Sequence, residues 1–131
     1  MNIHKSAEDY LEMILRLQEK KGYVRAVDIS NGLSVSKPSV SIAMRNLREN
    51  GYITVDKDNY IHLAEPGMAI AREIYERHRF LTEFLIYIGV DAETAEKDAC
   101  RIEHDLSAPT FDAFKRFYAE HRTDSEPLSI R

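Results

Sequence analysis

The chain has no tryptophan, a single cysteine, and only five glycines and four prolines in 131 residues. One cysteine cannot close an internal disulfide, which excludes the disulfide-stapled secreted scaffolds. So little Gly and Pro excludes collagen and low-complexity linkers. No apolar run approaches the roughly 20 residues that span a bilayer. The N-terminal run MNIHKSAEDYLEMIL is broken by Lys5, Glu8, Asp9 and Glu12, so it lacks the apolar centre of a signal peptide. A soluble cytoplasmic protein is expected. No internal repeat is present. What remains is a globular balance of 44% hydrophobic and 31% charged residues, which excludes wholesale disorder. The length suits one domain or two small ones.

The net charge of −4 hides an asymmetry. Between residues 20 and 60, Lys20, Lys21, Arg25, Lys37, Arg45, Arg48 and Lys57 face only Asp28, Glu49, Asp56 and Asp58, a net of +3. Between residues 65 and 105, ten carboxylates face five cations, a net of −5. One half is built to meet an anion and the other a cation.

Helical spacing of Tyr10, Met13, Ile14 and Leu17 predicts a helix over 5–20, closed by Gly22. A short helix is expected over 27–33 and a third over 36–50, with Ser36 as N-cap, Pro38 in the first turn and Gly51 past the end. Two β-like runs, 52–55 and 60–63, flank a polar tip and read as a hairpin. Pro66 and Gly67 mark a boundary. A long helix then runs over 66–88 with Ile70, Ile74, Leu81, Leu85 and Ile88 along one side, and another is expected over 91–107. Pro109 opens a last helix carrying Phe111, Phe114, Phe117 and Tyr118. The fold class is mainly α with a small β-hairpin wing. The expected division is 1–64, 65–121 and a polar tail over 122–131.

Three helices followed by a hairpin is the order of a winged helix-turn-helix. At about 100° per residue, Val40, Ala43, Met44 and Leu47 form the core stripe of the third helix. Ser41, Ile42, Arg45, Asn46 and Glu49 face away, short-chained first and cationic later, a face that suits insertion into a major groove. Ser36, Pro38 and Ser39 form the start of that helix. Ile42 either presses on a thymine methyl or is an isolated surface apolar residue. Lys37, Arg25 and Lys57 are expected to contact phosphates; each alone also fits a solvated face. Gly32, inside the second helix, costs roughly 1 kcal/mol against Ala.

In the acidic half, DACRIEHDLS places Cys100, Glu103 and His104 at i, i+3 and i+4, on one helical face. Ala92, Ala95, Ala99, Ile102 and Leu106 form a separate apolar stripe, so the triad is expected beside the core. Thiolate, carboxylate and imidazole at one spot make a transition-metal arrangement. Asp9 and Glu12, expected roughly opposite the core stripe of the first helix, and His78 in the long helix would complete six potential ligands. The alternatives are a small buried Cys, a surface Glu–His pair, and carboxylates favoured by the helix dipole.

The runs EDYLEMI, VSKPSVSIAMRNLRENGYI, RHRFLTEFLIYIGVD and DACRIEHDLS, in this order over about residues 5–120, resemble the diphtheria toxin repressor / manganese transport regulator (DtxR/MntR) family. These are homodimeric, metal-activated transcriptional repressors. The resemblance implies a helical dimerisation and metal-binding domain after the winged module. It also implies the short form, without the SH3-like domain of the iron-type members. The family's metal positions fall on Asp9, Glu12, His78, Cys100, Glu103 and His104. The manganese type has Asp at position 9, as here, but Glu at 100; the iron type has Cys at 100, as here, but Met at 9. The chain is a hybrid, so Mn2+ and Fe2+ are both expected, with Co2+, Ni2+ or Zn2+ able to substitute.

The expected function is metal-activated repression of metal-homeostasis genes through a palindromic operator, with double-stranded DNA and a second copy of the chain as partners. A metal-independent winged-helix regulator and a metal-dependent hydrolase are the alternatives. No HExxH, phosphate loop or nucleophile elbow supports an enzyme, and no small-molecule substrate or catalytic residue is expected.

Overall fold

A computed structural model describes residues 5–122; the tail expected from Arg122 lies, beyond that residue, outside the described residues. The chain divides into two compact units, Met1–Glu73 and Ile74–Arg131. Among the described residues no helix is long and apolar enough to cross a membrane.

The first unit opens with α1 (Lys5–Lys21), α2 (Ala26–Leu33) and α3 (Lys37–Glu49), followed by β1 (Ile53–Val55) and β2 (Ile61–Leu63). α1 packs against α2, α3 and β2, and its buried band is wider than the expected stripe and turned by one residue. Leu11, Ile14 and Leu15 are buried together with Glu12, while Tyr10, Met13 and Leu17 are half-buried. Glu12 therefore lies within the buried face and not opposite it. The irregular Gly32 is explained by the α1–α2 approach: a Cβ there would stand 2.8 Å from Met13 Sδ.

Ser36 caps α3, its hydroxyl accepting the Ser39 amide, and Val40, Met44 and Leu47 are buried as the stripe requires. The hairpin pairs Ile53 with Leu63, Thr54 with His62 and Val55 with Ile61. Asp56 builds its tip: Oδ1 accepts the amides of Asp58 and Tyr60 at 2.9 and 3.0 Å, and Asn59 turns the chain at φ 67°. Ile61 donates to the Val24 carbonyl at 2.8 Å, fastening the wing to the segment before α2. Gly67, in the first turns of α4 (Glu65–Tyr87), is required to be glycine because a Cβ would collide with the Tyr52 carbonyl oxygen.

The second unit holds the remainder of α4, α5 (Ala92–Ile102) and α6 (Ala108–His121). Ile74, Leu81, Ala95, Ala99 and Tyr118 are buried. Phe80 stacks on Phe84 and meets Phe111 and Tyr118 edge-on, fixing α6 on α4; such pairs contribute about 0.5–1.5 kcal/mol each beyond burial. Asp91 caps α5 by accepting the Thr94 amide. The expected helix over 91–107 ends early, at Ile102. Ser107 is already the N-cap of α6 and Pro109 sits in its first turn, which pulls the preceding residues out of helical geometry. Glu103 is the C-cap and 103–105 form a turn. Ile88 and Phe117 are 56% and 48% exposed, outside the stripes expected for their helices.

Candidate metal centre and nucleic-acid interface

Every residue expected to touch DNA lies on the surface of the first unit: Arg25, Ser36, Lys37, Pro38, Ser39, Ser41, Ile42, Arg45 and Lys57. Ser36 to Ser39 begin α3, Ser41, Ile42 and Arg45 continue along its outer face, and Lys57 stands at the wing tip. Ile42 is 53% exposed, so it carries no core role. A groove of about 250 Å³ between α3 and the wing is lined by Ser41, Arg45, Arg48, Val55, Asn59 and Ile61. Arg25 is held in place by the Tyr60 ring, with Cζ 4.4 Å from its centroid. Tyr60 is thus an organising residue that charge pattern alone does not mark; its aromatic character next to the hairpin tip is the available signal.

The second unit brings together four of the six expected metal ligands. His78 Nδ1 lies 2.8 Å from Glu103 Oε2 and 3.7 Å from Cys100 Sγ. His104 Nε2 lies 3.3 Å from Glu103 Oε1. The Glu103 carboxylate therefore stands between two imidazoles, with the thiol beside the first. Hydrogen bonding to Cys100 and to Glu103 holds the His78 imidazolium, pushing its pKa up to about 10 against the opposing effect of burial.

Sequence spacing placed this cluster beside the core. Instead Glu103 is 1% exposed and the His104 side chain 2%, while Cys100 is exposed. Cys100 rides on α5, whereas Glu103 and His104 belong to the turn that follows it. Asp9 and Glu12 stand one turn apart on α1. Lys5 Nζ approaches Asp9 at 3.4 Å and Arg16 approaches Glu12 at 3.7 Å.

A carboxylate this deeply buried demands cationic partners. Imidazole nitrogen, thiol sulfur and carboxylate oxygen form a mixed set that divalent transition ions accept. The donors of the second unit fit such an ion.

One further residue escaped the sequence reading. Arg77 is buried, and its Nη1 donates to the carbonyls of Glu103 (3.0 Å) and Leu106 (2.7 Å). The signal was present: with Ile74 and Leu81 in the core stripe, positions 77 and 78 fall in the same register, so a cation there had to find buried acceptors.

A winged helix-turn-helix joined to a helical unit whose N/O/S donors gather around a buried carboxylate defines a metal-responsive DNA-binding regulator. Residues 2–61 match the family described as iron dependent repressor, N-terminal DNA binding domain. Residues 64–130 match iron dependent repressor, metal binding and dimerisation domain. The transcriptional regulator MntR of Salmonella typhimurium is 36% identical over 119 residues, spanning 91% of this chain and 76% of that protein. The HTH-type transcriptional regulator MntR of Bacillus subtilis is 38% identical over 107 residues, 82% of this chain and 75% of that one. Among solved structures, the manganese regulator SloR superposes with a TM-score of 0.76 at 28% identity, over 91% of this chain and 55% of that chain. The chain thus spans about half the length of that solved relative. It belongs to the DtxR/MntR family of metal-dependent, DNA-binding transcriptional regulators, which are not enzymes.

Proposed function

We propose that this chain is a cytoplasmic, metal-activated repressor of manganese or iron homeostasis genes that binds a palindromic operator as a homodimer. The division of labour is a DNA-binding domain over 1–64, a metal-binding and dimerisation domain over 65–121, and a tail over 122–131. Asp9, Glu12, His78, Cys100, Glu103 and His104 would hold the ion, Mn2+ or Fe2+, with Co2+, Ni2+ or Zn2+ able to substitute. The observation that carries the reading is the convergence of His78 and His104 on the buried Glu103 carboxylate, with the Cys100 thiol 3.7 Å from His78 Nδ1.

When bound, a divalent ion supplies positive charge and coordination bonds that let clustered carboxylates coexist. His78 and Cys100 would be the nitrogen and sulfur ligands, and serving as such would require each to be deprotonated. Asp9 and Glu12 would be the ligands that α1 contributes. The two winged modules of the dimer would then be held at one spacing that matches the half-sites. A shift from mostly incompetent to mostly competent requires on the order of 3–5 kcal/mol of differential affinity. On the DNA side Arg25, Lys37 and Lys57 contact phosphates. Ser36, Pro38, Ser39, Ser41, Ile42 and Arg45 approach the major groove. Cys100 draws the selectivity toward Fe2+, and the carboxylates of Asp9 and Glu12 toward Mn2+.

The test is selection of a bound sequence from a random duplex library with Mn2+ or Fe2+ present, then gel shift on that duplex with metal, with chelator, and with His104→Ala. Metal should tighten binding at least tenfold for the wild type and leave the variant unchanged. Equal affinity in all lanes overturns the reading.

A further inference from the structure

We propose that Arg77 is a positioning residue for the metal centre. Its guanidinium anchors the turn that carries Glu103 and His104, so that this turn is shaped before any ion arrives. This inference rests on the metal-binding reading above.

The geometry is specific to the ligand turn. The two carbonyls that Arg77 Nη1 reaches, Glu103 O and Leu106 O, bracket the segment containing both ligand side chains. Those bonds span 26 and 29 residues of sequence, so they hold the turn from outside rather than within its own hydrogen-bond ladder. α5 has ended at Ile102 and α6 starts at Ala108; in the segment between them the Asp105 and Leu106 amides both donate back to the one Ile102 carbonyl. A cation beside the last carbonyls of α5 also complements the negative end of that helix. The neighbouring residue on α4, His78, holds the Glu103 side chain at 2.8 Å. Consecutive residues of one helix therefore fix the backbone and the carboxylate of the same ligand.

Arg77 is itself held. Its Cζ lies 4.9 Å from the centroid of the Phe111 ring, and that ring packs edge-on against Phe80. The aromatic cluster orients the guanidinium, and the guanidinium orients the turn. Groups that orient metal ligands set affinity without touching the ion, and losing one typically costs about 10–100-fold.

The experiment compares the wild type with Arg77→Met, which keeps apolar bulk against Phe111 but donates nothing, and Arg77→Lys, which restores a cation able to reach a carbonyl. Co2+ alone is the probe, its affinity read by titration and its ligand field by the visible absorption bands, with circular dichroism checking the fold. In parallel, amide hydrogen exchange over residues 103–106 is followed in the metal-free protein. Arg77→Met should lower Co2+ affinity about 10–100-fold, alter the visible bands, and speed exchange in the turn while α4 and α6 stay protected. Arg77→Lys should recover part of each. A folded Arg77→Met protein with wild-type affinity, bands and exchange overturns the inference. Should Arg77→Met not fold, Arg77→Gln, which carries no charge, is measured in its place, and wild-type values in all three readouts overturn the inference equally. A wild type that takes up no Co2+ sinks the metal-binding reading instead, and exchange in the metal-free turn still shows whether Arg77 anchors it.

Discussion

His78 Nδ1 and Glu103 Oε2 lie 2.8 Å apart with both side chains almost wholly out of solvent. A buried ion pair adds little net stability compared with a well-packed apolar pair, but removing one partner strands the other. Glu103→Ala leaves the imidazoles of His78 and His104 without this carboxylate. It should cost about 3–5 kcal/mol in the metal-free protein, read as a lower urea midpoint. Glu103→Gln keeps a hydrogen-bonding side chain of the same shape and should cost less, while still weakening metal binding. An alanine variant as stable as the wild type would show that the pair carries no structural weight.

The same pair sets a pH dependence. Cys100 and Glu103 raise the His78 pKa from 6.5 to about 10. A group whose folded value is raised contributes stability that is fully present below its unfolded pKa and is lost as pH climbs through the folded one. In the metal-free protein the stability gap between wild type and His78→Gln should therefore be largest near pH 6 and shrink as pH rises toward about 10. Taking the difference between two proteins cancels the titration of other groups. Urea midpoints measured at several pH values give the gap directly, and a gap that stays constant across the window contradicts the assignment.

How much of this was readable from residues alone depended on how local the cause was. The caps at Ser36 and the stripe Val40, Met44 and Leu47 follow from helical periodicity, and the wing follows from two β-like runs around a polar tip. The end of α5 did not. Helical spacing of Cys100, Glu103 and His104 is nearly preserved because Glu103 keeps right-handed backbone angles, so the pattern looked continuous while the chain was already turning. The burial of Glu103 and Arg77 was missed for a related reason. Charge marks a residue as exposed until its partner is known, and these partners lie about 25 residues away.

Gly32 tests a packing cause directly. Replacing glycine by alanine inside a helix ordinarily stabilises it by about 1 kcal/mol. Here the new methyl would meet Met13 Sδ at 2.8 Å, so α1 and α2 must separate or Met13 must leave its place. Overpacking of this kind costs about 1–3 kcal/mol, enough to reverse the sign. Gly32→Ala should lower the melting temperature, and adding Met13→Ala should restore part of the helix gain to the double variant. A single variant more stable than the wild type would mean that Met13 yields freely.

Lys37 and Ile42, both exposed on α3 and five residues apart, should fail in different ways. Lys37→Ala removes a phosphate contact. Affinity should drop to a similar extent on every duplex, and the slope of log affinity against log salt should flatten by about 1. Ile42→Ala removes only an apolar surface. Where that side chain presses on a thymine methyl, the loss should be about 1–3 kcal/mol on the thymine-containing operator and vanish when uracil replaces that thymine. The salt slope should not change. Because Ile42 is 53% exposed, neither the melting temperature nor metal binding should move, which separates base recognition from folding. An equal loss on thymine and uracil duplexes would reduce Ile42 to an isolated apolar surface residue and leave base choice to Ser41 and Arg45.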